Sequence, residues 1–478
     1  MNIRKITLAA AMVAALLATG CDYAEKDDVI VSRRAKEAYE EAYNNNDRYL
    51  VWEFIHSVSY VYYLWNNNVP ANIDYSLYET PQDLFESFRH RDDRFSAVIN
   101  NYTEANESLD NIYESDGINY ELYLEKQGSD NVVATVEYVY DGTPAKEAGI
   151  KRGYVIRKVN GTQLTTSNYN ELLKQKTCTY TYSTISVKEQ HGEVVTEYGD
   201  ELHESPAITK RHLTIDPILK TSVTVKDGRR IGYFLFDSFT LDTKGVIDAI
   251  ESLEAQQIED LVLDLRINTG GYINTLDTLA AMLVPDGHEG DLFMTDTYNQ
   301  ALAAELRQES NDPNFNKRFF ASGLPNLHLS RIFILTSNNT ASSSEQLISG
   351  LMPYMPVTLI GDRTYGKFTG NLLLNDVAHE GSDPDGIPYS EWAVYLSVMQ
   401  CNNANGEMNF ANGFTPDYKI PDIYRHELGD EQEPLFAKAL ELCTGSLAKS
   451  AKTYRTPFQD YIGHFGKPSI KYSLIVNR

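Results

Sequence analysis

Three adjacent serines and one lysine are the residues of this chain best suited to chemistry. Ser342-Ser343-Ser344, followed by Glu345, open a predicted helix after an apolar strand at Ile332–Leu335 and a turn of small residues. A second apolar strand, Val357–Ile360, leads into Tyr365-Gly366-Lys367. A serine at a helix N-terminus, with a lysine after the next strand, suits acyl transfer: the hydroxyl attacks a carbonyl once a base takes its proton. Lysine is such a base only when uncharged, and burial lowers its pKa from about 10.4 by disfavouring the ammonium. Capping alone would also account for the serines and Glu345, since Ser followed by Glu is ordinary helix-start chemistry.

Other segments narrow the chemistry. Ser342 to Glu345 resembles a S-A-S-A-S-E segment, and Lys367 lies 25 positions after Ser342 in a segment resembling T-F-G-K-G. Leu261-Val262-Leu263-Asp264-Leu265-Arg266-Ile267-Asn268-Thr269-Gly270-Gly271 resembles D-L-R-N-N-P-G-G, and Gly413-Phe414-Thr415-Pro416-Asp417 resembles G-I-T-P-D. Ile231–Phe236 resembles the strand that opens a protease core. In this order the segments resemble the C-terminal processing, or tail-specific, proteases of serine peptidase family S41. The resemblance runs from about residue 113 to the C-terminus. It implies Ser342 as nucleophile and Lys367 as base, with Ser343 the alternative nucleophile because three serines blur the register. It implies an oxyanion hole from the Ser343 amide and the Gly270-Gly271 turn, where glycine lets a backbone N–H come close to substrate. The family's lysine-orienting glutamine falls at Asn371, one methylene shorter.

Residues 113–215 resemble a PDZ domain. Gly117-Ile118-Asn119-Tyr120 stands where such domains bind a peptide carboxylate, ahead of strands expected at Glu121–Glu125 and Val132–Val139. Asn160-Gly161 after Val155–Val159 signals a tight hairpin. The implied function is an ATP-independent serine endopeptidase of the cell envelope, acting on proteins or peptides held by their C-terminus. The other class is a catalytically inactive peptide-binding lipoprotein scaffold, to which the departures Phe368 and Asn371 point.

The N-terminus carries an address. Arg4 and Lys5 precede an apolar run, Ile6–Ala18, then Thr19-Gly20-Cys21. The run has the shape of a secretory signal peptide and is too short to span a bilayer. Ala18–Cys21 resembles a bacterial lipobox, which makes Cys21 the lipidated residue and the membrane a partner through that anchor. The acidic residues after Cys21 resemble the export signals of Bacteroidota surface lipoproteins. The expected location is the outer membrane, on its periplasmic face or at the cell surface. A formal charge of −25 over 478 residues argues against nucleic acid as a partner. No cofactor motif stands out, and with ten scattered histidines and no H-E-x-x-H no metal is expected. Cys178, Cys401 and Cys443 allow one internal disulfide at most, and buried thiols are the expectation.

The fold class expected is multidomain α+β and α/β. The segments are a signal peptide at 1–21, an acidic tether at 22–32, a helical N-terminal cap domain at 33–112, the PDZ domain at 113–215 and the peptidase core at 216–478. In the core, strands at 231–236, 261–266, 331–336 and 357–361 alternate with helices at 243–254, 274–283 and 343–351, the pattern of an α/β domain. The family resemblance further implies the crotonase (ClpP-like) form of that domain. Residues 285–330 read as a surface excursion near the site.

Overall fold

A computed structural model describes residues 49–375, 392–445, 453–457 and 459–466. The signal segment, Cys21, the acidic tether and a helix expected at Ala35–Tyr43 lie outside the described residues. Two compact units form. Of the described residues, one gathers those from 49 to 106 with 292–319 and those within 367–408, and the other gathers 107–291, 320–366 and those from Asn409 to Gly466. These limits cut across the sequential domains expected at 33–112, 113–215 and 216–478, because strand pairing joins segments remote in the chain.

In the first unit, helix Leu50–Tyr62 buries Val51, Phe54, Ile55, Val58 and Tyr62, the one-sided spacing of an amphipathic helix. Helix Pro81–Phe88 starts as its sequence predicts. Thr80 caps it, Asp83 accepts the Thr80 amide at 3.0 Å, and Pro81 takes the first turn. The expected helical cap is only partly helical. Strand Ala97–Ile99 pairs with Ala393–Asn403, which also pairs with Thr369–Asn375 and Leu292–Tyr298, and Lys317–Phe319 pairs with the last of these. The stretch expected as a surface excursion therefore supplies two strands, with helix Gln300–Ser310 between them. Phe293 and Met294 are fully buried there.

The second unit holds a six-stranded sheet ordered Ile218–Lys226, Arg229–Phe236, Asp260–Asp264, Ile332–Thr336, Val357–Gly361, Tyr418–Lys419. The first pair is antiparallel and the rest are parallel. Strands 260–264 and 332–336 are buried at every position, and their apolar stretches Leu261–Leu263 and Ile332–Leu335 are what a parallel sheet covered on both faces requires. Helices Thr243–Ala255, Ile273–Leu283 and Ser343–Leu351 alternate with these strands, within one or two residues of expectation. At the carboxyl end of the sheet Arg266, 1% exposed, bonds Asp264, Asp422 and Glu433. A buried guanidinium needs such partners, and removing one costs about 3–5 kcal/mol.

This unit also holds a nine-stranded sheet: seven strands follow the order Thr453–Arg455, Glu193–Tyr198, Tyr180–Gln190, Tyr154–Val159, Val132–Val139, Ile118–Leu124, Gln459–Phe465, while His203–Glu204 pairs with Tyr180–Gln190 and Thr162–Gln163 with Tyr154–Val159. Asn160 and Gly161 both take positive φ, 50° and 76°, in the expected tight hairpin. Cys178, Cys401 and Cys443 are buried free thiols. No helix of the described residues is long and apolar enough to cross a membrane.

Two carboxyls of the nine-stranded sheet make its unit pH-sensitive. Burial pushes Glu121 up to about 7, against hydrogen bonds from Tyr123 and Asn339 that favour the anion, and burial moves Glu137 the same way. The folded chain then holds protons that the unfolded chain releases near the ordinary carboxyl value of 4.5. Stability falls as pH rises through that window, for Glu121 from about 4.5 to about 7. Denaturant titrations between pH 4 and 8 should show this slope, and Glu121→Gln should flatten it.

Candidate active site

The second unit builds a serine turn at the carboxyl end of its parallel strands. The chain leaves strand Ile332–Thr336, turns through residues 337–341 and enters helix Ser343–Leu351 at Ser342. Ser342 has φ 57° and ψ −116°, a conformation a side chain adopts at a cost of about 1–3 kcal/mol and one that clusters at active sites. Its neighbours separate the three serines. Ser343 Oγ donates to Gly271 O at 2.7 Å, and Ser344 Oγ donates to Asn268 Oδ1 at 3.0 Å with no exposure. Ser342 keeps 9% exposure, the most of the three.

The Gly270-Gly271 turn lies against this serine. A Cβ on Gly270, at φ 103°, would come 2.7 Å from Ser342 Cβ and 3.1 Å from the Ser343 amide nitrogen. A Cβ on Gly271 would lie 2.2 Å from Phe239 O. Only glycine permits this approach. The two amides are not equivalent, however. Gly270 N–H donates to Asn268 Oδ1 at 2.9 Å, so it is engaged and serves the turn rather than an oxyanion. The Gly271 amide has no acceptor among the described residues. Asn268, to which the sequence motif gave no role, also accepts Ala341 N–H at 3.2 Å and donates to Phe236 O at 2.9 Å. It locks the glycine turn to the serine turn.

Glu345 is fully buried and holds both sides of the serine turn. Its carboxylate accepts Ser342 N–H at 3.0 Å, Thr364 Oγ1 at 2.6 Å and Gly366 N–H at 2.7 Å. This is the capping role expected, extended to the residue that precedes Lys367. Glu345→Gln turns one acceptor into a donor facing donors. It should lower stability by about 2 kcal/mol and cut turnover at least tenfold, read by chemical denaturation and by digestion of a denatured protein.

Lys367 belongs to the first unit. It is 5% exposed, its Nζ donates to Tyr395 Oη at 2.9 Å, and it lies 4.8 Å from the Tyr395 ring centre. Asn371, expected to orient this lysine, is turned elsewhere. Its amide donates to Phe95 O at 3.3 Å and Ser397 Oγ at 3.2 Å, and its carbonyl accepts Thr369 Oγ1 at 3.0 Å. The shorter side chain stays with its own strand and its neighbours, and Tyr395 is the polar partner that sequence reasoning missed. Phe368 packs edge-on against Phe95, 5.6 Å between ring centres.

The expected carboxylate loop is also corrected. Ile118, Asn119 and Tyr120 are buried within strand Ile118–Leu124. Gly117, at φ 91°, makes the turn before it. Gly117 N–H donates to Ser115 Oγ at 2.9 Å and Ile118 N–H to Asp116 Oδ1 at 3.1 Å. Tyr120 and Tyr180 hydroxyls donate to Asp116 Oδ2. The anion at this turn is Asp116 itself, so these amides are not open to a peptide carboxylate.

The model of peptidase family S41 matches residues 230–420 and that of the peptidase S41 N-terminal domain matches residues 51–97. The chain is 24% identical over 319 residues to the carboxyl-terminal-processing protease of Synechocystis, covering 66% of each chain. It is 25% identical over 349 residues to the carboxy-terminal processing protease CtpB of Bacillus subtilis, covering 72% of this chain and 63% of that one. The chain thus spans just under two thirds of the length of these curated relatives. The crystal structure of a Bacteroides fragilis protein assigned to the S41 proteases shares 25% identity with a TM-score of 0.67, over 83% of this chain and 98% of that one.

Proposed function

Because this chain belongs to peptidase family S41, we propose that it is a serine endopeptidase that cleaves protein or peptide substrates with a Ser342–Lys367 dyad. Ser342 Oγ attacks the scissile carbonyl and Lys367 Nζ takes its proton. The developing oxyanion is met by the Ser343 and Gly271 amides, with the positive end of helix Ser343–Leu351 behind them. Lys367 then returns the proton to the leaving amine, and water repeats the sequence on the acyl-enzyme. No metal or cofactor takes part in these steps. Tyr395 positions the amine, in place of the orienting residue expected at Asn371. The observation that carries the reading is the left-handed backbone of Ser342 against the Gly270-Gly271 turn. Substrate docks as an added strand on the nine-stranded sheet, the PDZ part of the protein. Lipid on Cys21 holds it in the cell envelope.

The test is covalent. An acyl-reactive serine probe should label Ser342 in the intact protein, with the site read by mass spectrometry, and Ser342→Ala should take up none. A folded protein that neither labels nor digests denatured casein would be the inactive peptide-binding scaffold.

A further inference from the structure

The docking sheet already holds a peptide, and it is the chain's own. Gln459–Phe465 adds antiparallel to the outer edge of Ile118–Leu124, with Phe465 opposite Tyr120, His464 opposite Glu121 and Tyr461 opposite Tyr123. The other edge of Ile118–Leu124 pairs with Val132–Val139. The added strand runs towards the Gly117 turn. At its end a Cβ on Gly466 would lie 1.9 Å from Ile118 O.

Its side chains are received by built positions. Phe465 packs against the Tyr120 ring at 6.5 Å and Tyr461 against Tyr123 at 5.7 Å, and Ile462 and Phe465 rest on the apolar core of the sheet. His464 is 6% exposed. Its Nδ1 lies 3.2 Å from Asn339 Nδ2 and 3.6 Å from Glu137 Oε2. Asn339 Nδ2 also donates to Glu121 Oε1 at 2.7 Å. Asn339 is three residues before Ser342, so an occupant of this edge touches the nucleophile's own turn.

Two features mark the strand as displaceable. The register slips twice within its seven residues, so the ladder is poorer than that of an unbroken pair. Strand addition also draws its affinity from main-chain bonds that any extended segment offers.

We propose that Gln459–Gly466 is a tethered ligand of this edge, which takes extended internal peptide segments of the pattern aromatic–apolar–Gly–His–aromatic–Gly, and that substrates dock only by displacing it. No free carboxylate is required, since Ser115 and Asp116 already hold the Gly117 and Ile118 amides. The inference rests on the docking part of the function proposed above and not on the Ser–Lys chemistry. Its test therefore reads binding, on Ser342→Ala protein.

The probe is a fluorescent peptide with the sequence of residues 459–466, made with an amidated or a free C-terminus. The proteins are the full chain and the same chain carrying Gly466→Val, a wedge against Ile118 O. His464→Ala, which removes the buried imidazole, is the second variant should the wedge prevent folding. The released edge should bind the peptide at least tenfold more tightly than the parent, and both peptide ends should bind within twofold of each other. Hydrogen exchange of residues 118–124 should speed up in the variant and slow again with peptide. Equal binding to parent and variant after exchange shows release would overturn the proposal. So would failure of either variant to release the strand, which would make it a fixed edge cover. A tenfold preference for the free carboxylate would also overturn it, in favour of a carboxylate-reading loop.

Discussion

Under the proposed mechanism Ser342→Ala should abolish proteolysis, by roughly 10⁴-fold or more, while the protein keeps its fold. The expected loss is this large because the proposal gives that hydroxyl the acyl bond, and the oxyanion donors that remain would give only residual catalysis. The fold should survive because the larger part of the helix start does not depend on that hydroxyl, whose part is that of one cap acceptor, worth about 1 kcal/mol. The Ser342 amide, not its side chain, is held by Glu345, and alanine tolerates the 57° φ no worse than serine. The companion substitution fixes the register. Ser343→Ala removes the bond to Gly271 O and should lower turnover only about tenfold, by loosening the glycine turn. Digestion of a denatured protein by both variants, with unfolding curves beside it, measures this. The reverse ranking would move the nucleophile to Ser343.

Lys367→Met should cost about 10³-fold or more in kcat/KM, since a serine without its base is a poor nucleophile. Methionine keeps most of the apolar stem of a side chain that is 5% exposed, so packing changes little. The lost bond to the Tyr395 hydroxyl accounts for about 1 kcal/mol of stability. Tyr395→Phe then separates base from positioner. It should lower kcat several-fold with KM nearly unchanged, because the amine remains and only its orientation is loosened. A folded Lys367→Met protein that still cleaves would remove lysine from the mechanism.

Much of the parallel sheet is legible in the order of residues. Strands such as Leu261–Leu263 and Ile332–Leu335 are unbroken apolar runs, and Asp242 and Ser342 stand at the starts of two of the helices that alternate with the sheet strands. Gly270 and Gly271 are legible as a turn needing close approach, and the glycines' φ values of 103° and 141° agree. What the turn does with its amides is not legible. That Gly270 N–H is taken by Asn268 and Gly271 N–H is left over depends on where the Asn268 side chain points. The replacement of Asn371 by Tyr395 is hidden for a similar reason: Tyr395 lies 28 residues beyond Lys367 and meets it only because Thr369–Asn375 and Ala393–Asn403 pair as neighbouring strands.

The order of elements, the serine cluster, the glycine turn and the lysine are determined by the sequence alone, because each depends on residue type and on periodicity within a short window. Three matters are decided only in the tertiary structure: which serine takes the strained backbone, which amides are already bonded, and which strand covers the edge of Ile118–Leu124. Gln459–Phe465 illustrates the reason. Its Gln, Asp, Gly and His break any local strand pattern, so nothing nearby in the chain predicts its conformation. It becomes a strand because Ile118–Leu124 offers an unpaired edge with a buried place for His464 beside Glu121, Glu137 and Asn339, and pairing across such a distance leaves no periodic mark in the sequence.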